Sequence, residues 1–128
     1  IVLLMIGTND INSDVDLDNA PARWAALIDL MTETAPETLI VAAKLIPTRT
    51  DSLNVEIETF NTAIEAIVND RAAAGKHIIV VDMYSAFTAN SNYMSEWLFD
   101  GLHPNDDGYA VMADGWYEAI SQYLISDP

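Results

Sequence analysis

Three short apolar runs, each followed by a long polar or mixed stretch, set the rhythm of the chain. Ile1 to Ile6 reads IVLLMI and stops at Gly7. An amphipathic helix would need polar positions among those six, so the run predicts a strand covered on both faces in a parallel sheet. Leu39 to Ile46 (LIVAAKLI), closed by Pro47, and His77 to Met83 (HIIVVDM) predict two more strands. Between them the apolar positions recur at three and four. Trp24, Leu27, Ile28 and Met31 mark a helix that starts near Asn19 and Pro21 and ends by Pro36. Ile57, Phe60, Ile64, Ile67 and Val68 mark a second from about Leu53 to Ala74, with Ser52 as its cap and Gly75 as its stop. Tyr109, Met112, Ala113, Trp116, Ile120 and Leu124 share one face of a third, from about Asn105 to Ile125. Gly7 to Asn19 and Tyr84 to Leu102 are expected as loops, the latter with room for a short helix. This order predicts right-handed crossovers and a three-layer α/β/α sandwich on a parallel sheet, as one domain over residues 1–128.

Composition narrows the function. Twenty Asp and Glu against five Lys and Arg leave a net charge of −15 on 128 residues. Nucleic acid and anionic membranes are excluded as partners, because both require clustered cations. With 51% hydrophobic and 20% charged residues, the chain is expected to fold as a soluble domain. Having no cysteine, it has no disulfide, thiolate nucleophile or cysteine-ligated zinc. No apolar run reaches the roughly 20 residues of a membrane span, and no basic-then-apolar leader is visible. The chain begins at Ile1 inside an apolar run, which reads as the middle of something longer.

In open α/β sheets ligands bind beyond the carboxyl ends of the strands, and two segments there carry unusual residue choices. Gly7-Thr8-Asn9-Asp10 follows the first strand; Gly7 allows a tight exit, and Asn9 can aim an amide N–H at a developing oxyanion. An ordinary turn is the alternative. Asp100-Gly101-Leu102-His103-Pro104 precedes the last helix. The three-residue spacing lets the Asp100 carboxylate fold back onto His103 Nδ1, leaving Nε2 free as a general base. A helix-entry turn with a solvent-facing histidine is the alternative. His77, which opens a strand without a carboxylate near it in sequence, reads as structural.

GTND after an apolar strand, followed by DGLHP and the stretch DGLHPNDDGYAVMADGWYEAI, resembles the C-terminal two-thirds of the GDSL-like, or SGNH, hydrolases, and in particular the carbohydrate-esterase branch that includes acetyl xylan esterases. The resemblance covers nearly the whole chain and implies a flavodoxin-like SGNH hydrolase fold missing its first strands. It implies an oxyanion hole from Asn9 and Gly7, and a pair in which Asp100 orients and His103 acts as base, then acid. It implies acyl-enzyme chemistry on short acyl or acetylated-carbohydrate esters, with no cofactor and no metal, in a secreted, extracellular protein. The family's Gly-Asp-Ser block is absent. Ser13 and Ser85, each in a loop after a strand, are the remaining candidates for the nucleophile; Ser52 heads a helix, and Ser121 and Ser126 lie at the far end of the last one. In that family the first strand pairs beside the third, so IVLLMI would lack a neighbour. A homodimer, or a complementing chain, is then expected through Ile1 to Ile6.

Two further patterns bear on the site. Asp10, Asn12, Asp14, Asp16 and Asp18 alternate as in a calcium loop, but Val15 and Pro21 stand where its glycine and closing glutamate belong, which excludes an EF-hand and leaves a looser calcium site or a solvated acidic loop. Trp97 and Tyr93, just ahead of Asp100, either line an acyl or sugar pocket or pack beneath the loop. The alternative to an esterase is a truncated, catalytically inert domain that binds carbohydrate through those two aromatics or serves as an assembly fragment.

Overall fold

The computed structural model describes residues 1–124. Three parallel strands, β1 (Val2–Leu4), β2 (Ile40–Ala43) and β3 (Ile78–Val81), form one sheet in that order, with Val2 opposite Ile40 and Ile40 opposite Ile78. The helices are α1 (Thr8–Asn12), α2 (Ala20–Thr34), α3 (Asp51–Ala73), α4 (Met83–Thr88), α5 (Tyr93–Glu96) and α6 (Asp106–Ser121), with a 3-10 turn at Leu17–Asn19. Among the described residues no helix is long and apolar enough to cross a membrane.

Two cores flank the sheet, as a three-layer sandwich requires. On one face Ile40, Ala42 and Ile78 pack with Trp24 and Ile28 of α2 and with Ile57, Phe60, Ile64 and Val68 of α3. On the other, Ala43 packs with Met83 and Phe87 of α4, Tyr93 of α5 and Met112 of α6. The two helical stripes seen in the sequence are therefore the faces that bury. Arg71 of α3 clasps Asp29 of α2 through two 3.0 Å bonds and holds its carboxyl below the usual range. Helix α3 ends where the N–H groups of Gly75 and Lys76 donate to the carbonyls of Ala72 and Arg71.

Several boundaries differ from the sequence pattern for physical reasons. The strand expected over Leu39 to Ile46 stops at Ala43, although Leu45 to Thr48 are buried. Two asparagines of α3 take over the role of a neighbouring strand. Asn61 accepts the Leu45 N–H at 2.7 Å and donates to its carbonyl at 2.9 Å; Asn54 does the same for Thr48 at 2.7 and 3.0 Å. Buried backbone must find partners, and a side-chain amide supplies both a donor and an acceptor. Met83 opens α4 rather than closing β3, because Asp82 accepts the Ser85 N–H and caps that helix. The cap position of α3 is Thr50, so Ser52 lies within its first turn. The loop expected after Gly7 contains α1, and the one after Tyr84 contains most of α4 and all of α5.

Helix α6 turns inward a face rotated from the one its apolar residues mark, keeping Met112 and Trp116 of that stripe against the core. Met112 is buried, whereas Tyr109 and Leu124 remain 54% and 52% exposed, and Ile125 lies outside the described residues. The packed line is Gly108, Met112 and Gly115. A Cβ added at Gly115 would stand 2.9 Å from Met83 Sδ, so the missing side chain is what lets α6 approach α4. A count of apolar residues does not register glycine as a contact.

The first strand is the largest departure from the expected cover on both faces. It pairs only with β2, and Ile1, Leu3 and Ile6 are 54%, 45% and 41% exposed. Helix α6 packs on β3 and α4, at the opposite side of the sheet.

Candidate active site

The two segments singled out at the strand ends meet in one cleft of 370 Å3. Gly7, Asn9 and Asp10 line one wall, Leu102 and His103 the other, and Tyr109 of α6 closes one side. Gly7 leaves β1 at φ +126°, a conformation that L side chains rarely adopt, and a Cβ there would strike Phe60 Cε1 at 2.5 Å. The sharp exit puts Asn9 on the exposed first turn of α1. Among the described residues its side-chain amide has no hydrogen-bond partner. The turn is thus more than a connection: it brings an uncommitted N–H donor to the cleft.

The opposite wall is built from local bonds. Asp100 Oδ1 accepts the backbone N–H groups of Leu102 at 3.0 Å and His103 at 2.8 Å, which fixes the carboxylate. Its Oδ2 lies 2.8 Å from His103 Nδ1. The His103 amide, then its ring, then the Leu102 amide hold the Asp100 carboxyl well below the usual range. An ionised carboxylate only accepts, so Nδ1 carries the proton, and in the neutral imidazole Nε2 then keeps its lone pair. Gly101 at φ +94° makes the tight bend between the two residues.

Three tertiary features, none apparent from the motif, hold this loop in place. Leu98 bridges to Pro104 at its base, and the Phe99 N–H donates to the His103 carbonyl at 2.8 Å. Asn105 caps α6 through Gly108 at 2.9 Å while its amide donates to the Glu96 carbonyl at 2.7 Å. Arg49, on the segment between β2 and α3, donates from its backbone to Gly101 and from its guanidinium to Met94 and Leu98. Two of these could have been found from sequence: Asn105 stands at a helix start with Gly three residues on, and Arg49 is one of only five cations in an acidic chain. Neither signal says what the residue binds.

The proposed pocket aromatics and nucleophiles do not reach the cleft. Tyr93 is buried, its hydroxyl donating to the Thr48 carbonyl at 3.1 Å, and Trp97 packs edge-on against Phe87 with ring centroids 5.5 Å apart. Both support the loop from beneath, because their ring area is worth more in the core than on the surface. Tyr109, assigned by its spacing to the core, is the aromatic at the cleft. Ser13 is the exposed C-cap of α1. Ser85 lies in a separate depression with Lys44, Glu58 and Asp82. Lys44 cannot activate it: burial disfavours the ammonium, but hydrogen bonds to Glu65 at 2.8 Å and Asp82 at 3.0 Å outweigh that and raise its pKa. No described serine lines the cleft, where the hydroxyls are those of Thr8 and Tyr109. Ser126 lies outside the described residues. His77 is exposed at the start of β3, at the other end of the sheet.

The acidic loop after β1 closes around an arginine. Arg23 donates to Asp10 Oδ1 at 2.9 Å, Asp16 Oδ2 at 3.0 Å, and the carbonyls of Val15 and Asp16 at 3.0 and 3.1 Å. Asp14 and Asp16 adopt left-handed backbone at φ 52° and 46° to make the wrap. The alternating acids thus organise a guanidinium from the same chain.

A model of the GDSL-like lipase/acylhydrolase family matches residues 1–111. The chain is 35% identical over 129 aligned positions to a multidomain esterase of Ruminococcus flavefaciens, covering 97% of this chain and 16% of that protein. Its fold is similar to a carbohydrate esterase family 3 structure from Talaromyces cellulolyticus, at a TM-score of 0.79 and 26% identity, covering 98% of this chain and 59% of that one. It is also similar to the family 3 carbohydrate esterase of Clostridium thermocellum, at a TM-score of 0.77 and 28% identity, covering 96% and 56%. The chain therefore spans little more than half of those structures and about one sixth of the esterase. With a parallel α/β/α sandwich, a cleft at the strand ends and a match over most of its length, the chain belongs to the GDSL-like lipase/acylhydrolase family.

Proposed function

We propose that this chain is the base and oxyanion portion of a serine-type ester hydrolase that acts on short acyl esters of carbohydrate, in a secreted protein. The carrying observation is the 2.8 Å hydrogen bond between His103 Nδ1 and Asp100 Oδ2, at the edge of the cleft that Asn9 also lines. In the proposed step a hydroxyl oxygen attacks the ester carbonyl carbon and its proton passes to His103 Nε2. Asn9 and the backbone of Gly7 donate to the oxyanion that forms. His103 then returns the proton to the leaving alcohol, and water repeats the cycle on the acyl-enzyme. Asp100 stays ionised throughout and steadies the imidazolium. No step requires a metal or an organic cofactor. Acetylated sugar as substrate is argued from the carbohydrate esterase structures, and from a −15 chain that repels anionic substrates. Tyr109, half exposed beside His103, is the surface on which a sugar ring would stack.

The attacking hydroxyl is the missing part. We place it on a segment that joins the sheet at the exposed edge of β1, from further chain or from a complementing one; a second copy pairing through Ile1 to Ile6 is the homodimer form. The test is p-nitrophenyl acetate turnover by the chain assembled with the segment that carries the hydroxyl, and by its His103→Ala variant. At least about a tenfold loss is expected, since general-base assistance is worth two or more orders of magnitude. Equal rates remove His103 from the mechanism. The serine-free cleft favours a second reading, an inert domain that retains the fold. Phenylmethylsulfonyl fluoride separates the two in the assembled protein: a covalent serine adduct there supports the enzyme, and a well-folded assembly without one supports the inert domain.

A further inference from the structure

We infer that Arg49 is the positioning residue that keeps the Asp100–His103 pair formed. The catalytic meaning of this inference rests on the esterase reading, but its geometry does not. The pair itself is exposed: the side chain of His103 is 64% accessible and that of Asp100 45%. An exposed ion pair or hydrogen bond in water contributes little on its own, so the scaffold must hold the two residues together.

Arg49 grips the loop at both tip and base. Its backbone N–H donates to the Gly101 carbonyl, midway between Asp100 and His103, at 2.8 Å. Its Nη2 donates at 2.6 Å to the carbonyl of Leu98, the residue that bridges to Pro104 and closes the loop. Its Nε donates at 2.6 Å to the carbonyl of Met94 on α5, one of the helix-end acceptors that have no partner within the helix. The stem fits against Gly101, where an added Cβ would stand 3.2 Å from Arg49 Cδ. A planar guanidinium with fixed donors suits two carbonyls at set positions; an ammonium does not.

The allocation of charge points the same way. With 20 carboxylates available for 5 basic residues, Arg23, Lys44 and Arg71 all bind carboxylates. Among the described residues Arg49 forms no ion pair and uses its charge on carbonyls. It also leads directly from the β2 segment that Asn54 and Asn61 anchor, and β2 is bonded to β1, whose exit carries Gly7 and Asn9. Arg49 is therefore the polar link between the sheet and the loop of the pair.

The test is 15N NMR of the His103 ring in the full chain, with Arg49→Met removing the guanidinium while keeping the stem. In the native chain near about pH 8 the Nδ1–H tautomer should dominate, and in Arg49→Met its ratio to the Nε2–H tautomer should fall at least about tenfold, because free histidine favours the other tautomer. Arg49→Gln gives the same readout where Arg49→Met fails to fold. A native ratio in a folded variant, whatever its melting temperature, overturns the proposal. A measurement on the native chain alone guards against both variants failing: the Arg49 Nε–H should exchange with water at least about tenfold slower than an exposed arginine, and exchange at the free rate overturns the proposal. Ester turnover by His103→Ala tests the esterase reading separately, and the tautomer result stands whether or not the chain turns over ester.

Discussion

The two walls of the cleft are held by opposite means. The His103 wall is fastened by polar bonds: Asp100 takes two backbone amides and the ring, Asn105 ties the loop to α6 and α5, and Arg49 reaches it at three carbonyls. The Gly7 wall has no side-chain cap on α1, and although Arg23 bonds Asp10 there, its exit from the strand depends on shape: a left-handed glycine seated against Phe60, at the end of a strand with one neighbour. A polar-fastened loop keeps its geometry wherever it is exposed, since its partners travel with it. A sterically seated turn keeps its geometry only while the core beneath it is intact. The contrast explains how a wall so poor in neighbours can still present Asn9 in a defined place.

The largest effect should come from breaking the steric seat. In Gly7→Val the new Cβ meets Phe60 at 2.5 and 2.8 Å on backbone at φ +126°. About 3 kcal/mol of stability should be lost, measured by urea unfolding. A loss below about 1 kcal/mol would mean that the turn yields and that shape does not hold this wall.

The polar wall makes a prediction about acid. Because Asp100 has a lowered pKa in the folded chain, the stability linked to it is fully present above the ordinary carboxylate value of 3.8 and is lost as pH falls through the lowered one. At about pH 3, with most exposed glutamates protonated, the Asp100 carboxyl carbon should still show the NMR shift of a carboxylate. Protonation with a midpoint at or above 3.8 would remove the polar fastening from this wall.

The smallest effect on stability is expected at the edge strand. Leu3 is 45% exposed, so Leu3→Lys should cost no more than about 0.5 kcal/mol. The same substitution should suppress any self-association through β1 that light scattering detects at high concentration, since a lysine blocks strand addition. Unchanged association would move the interface away from Ile1 to Ile6.

Legibility in the sequence followed the distance over which each feature is made. Strand and helix order were readable because apolar period is a local property of the chain. The Asp100–His103 bond was readable as well, because three residues and a glycine put the two groups within reach of each other, although what holds their loop in place was not. Tyr93 and Trp97 were not: nothing within ten residues says whether an aromatic ring in a loop faces a ligand or a core. Their partners, Thr48 and Phe87, come from other elements.

The sequence by itself thus determined the three strands and three long helices, their order, the sharp exit at Gly7 and the spacing that lets the pair meet, all set by bonds or steric limits within a few residues. Only the tertiary structure decided that Asn9 and His103 share a cleft, that Tyr109 rather than Tyr93 borders it, and that Ser85 belongs to another depression. It alone decided what Arg49 binds, since those carbonyls lie 45 to 52 positions away along the chain. Loop closure over such lengths has no local signature; packing of α3 and α6 on the sheet brings the groups together.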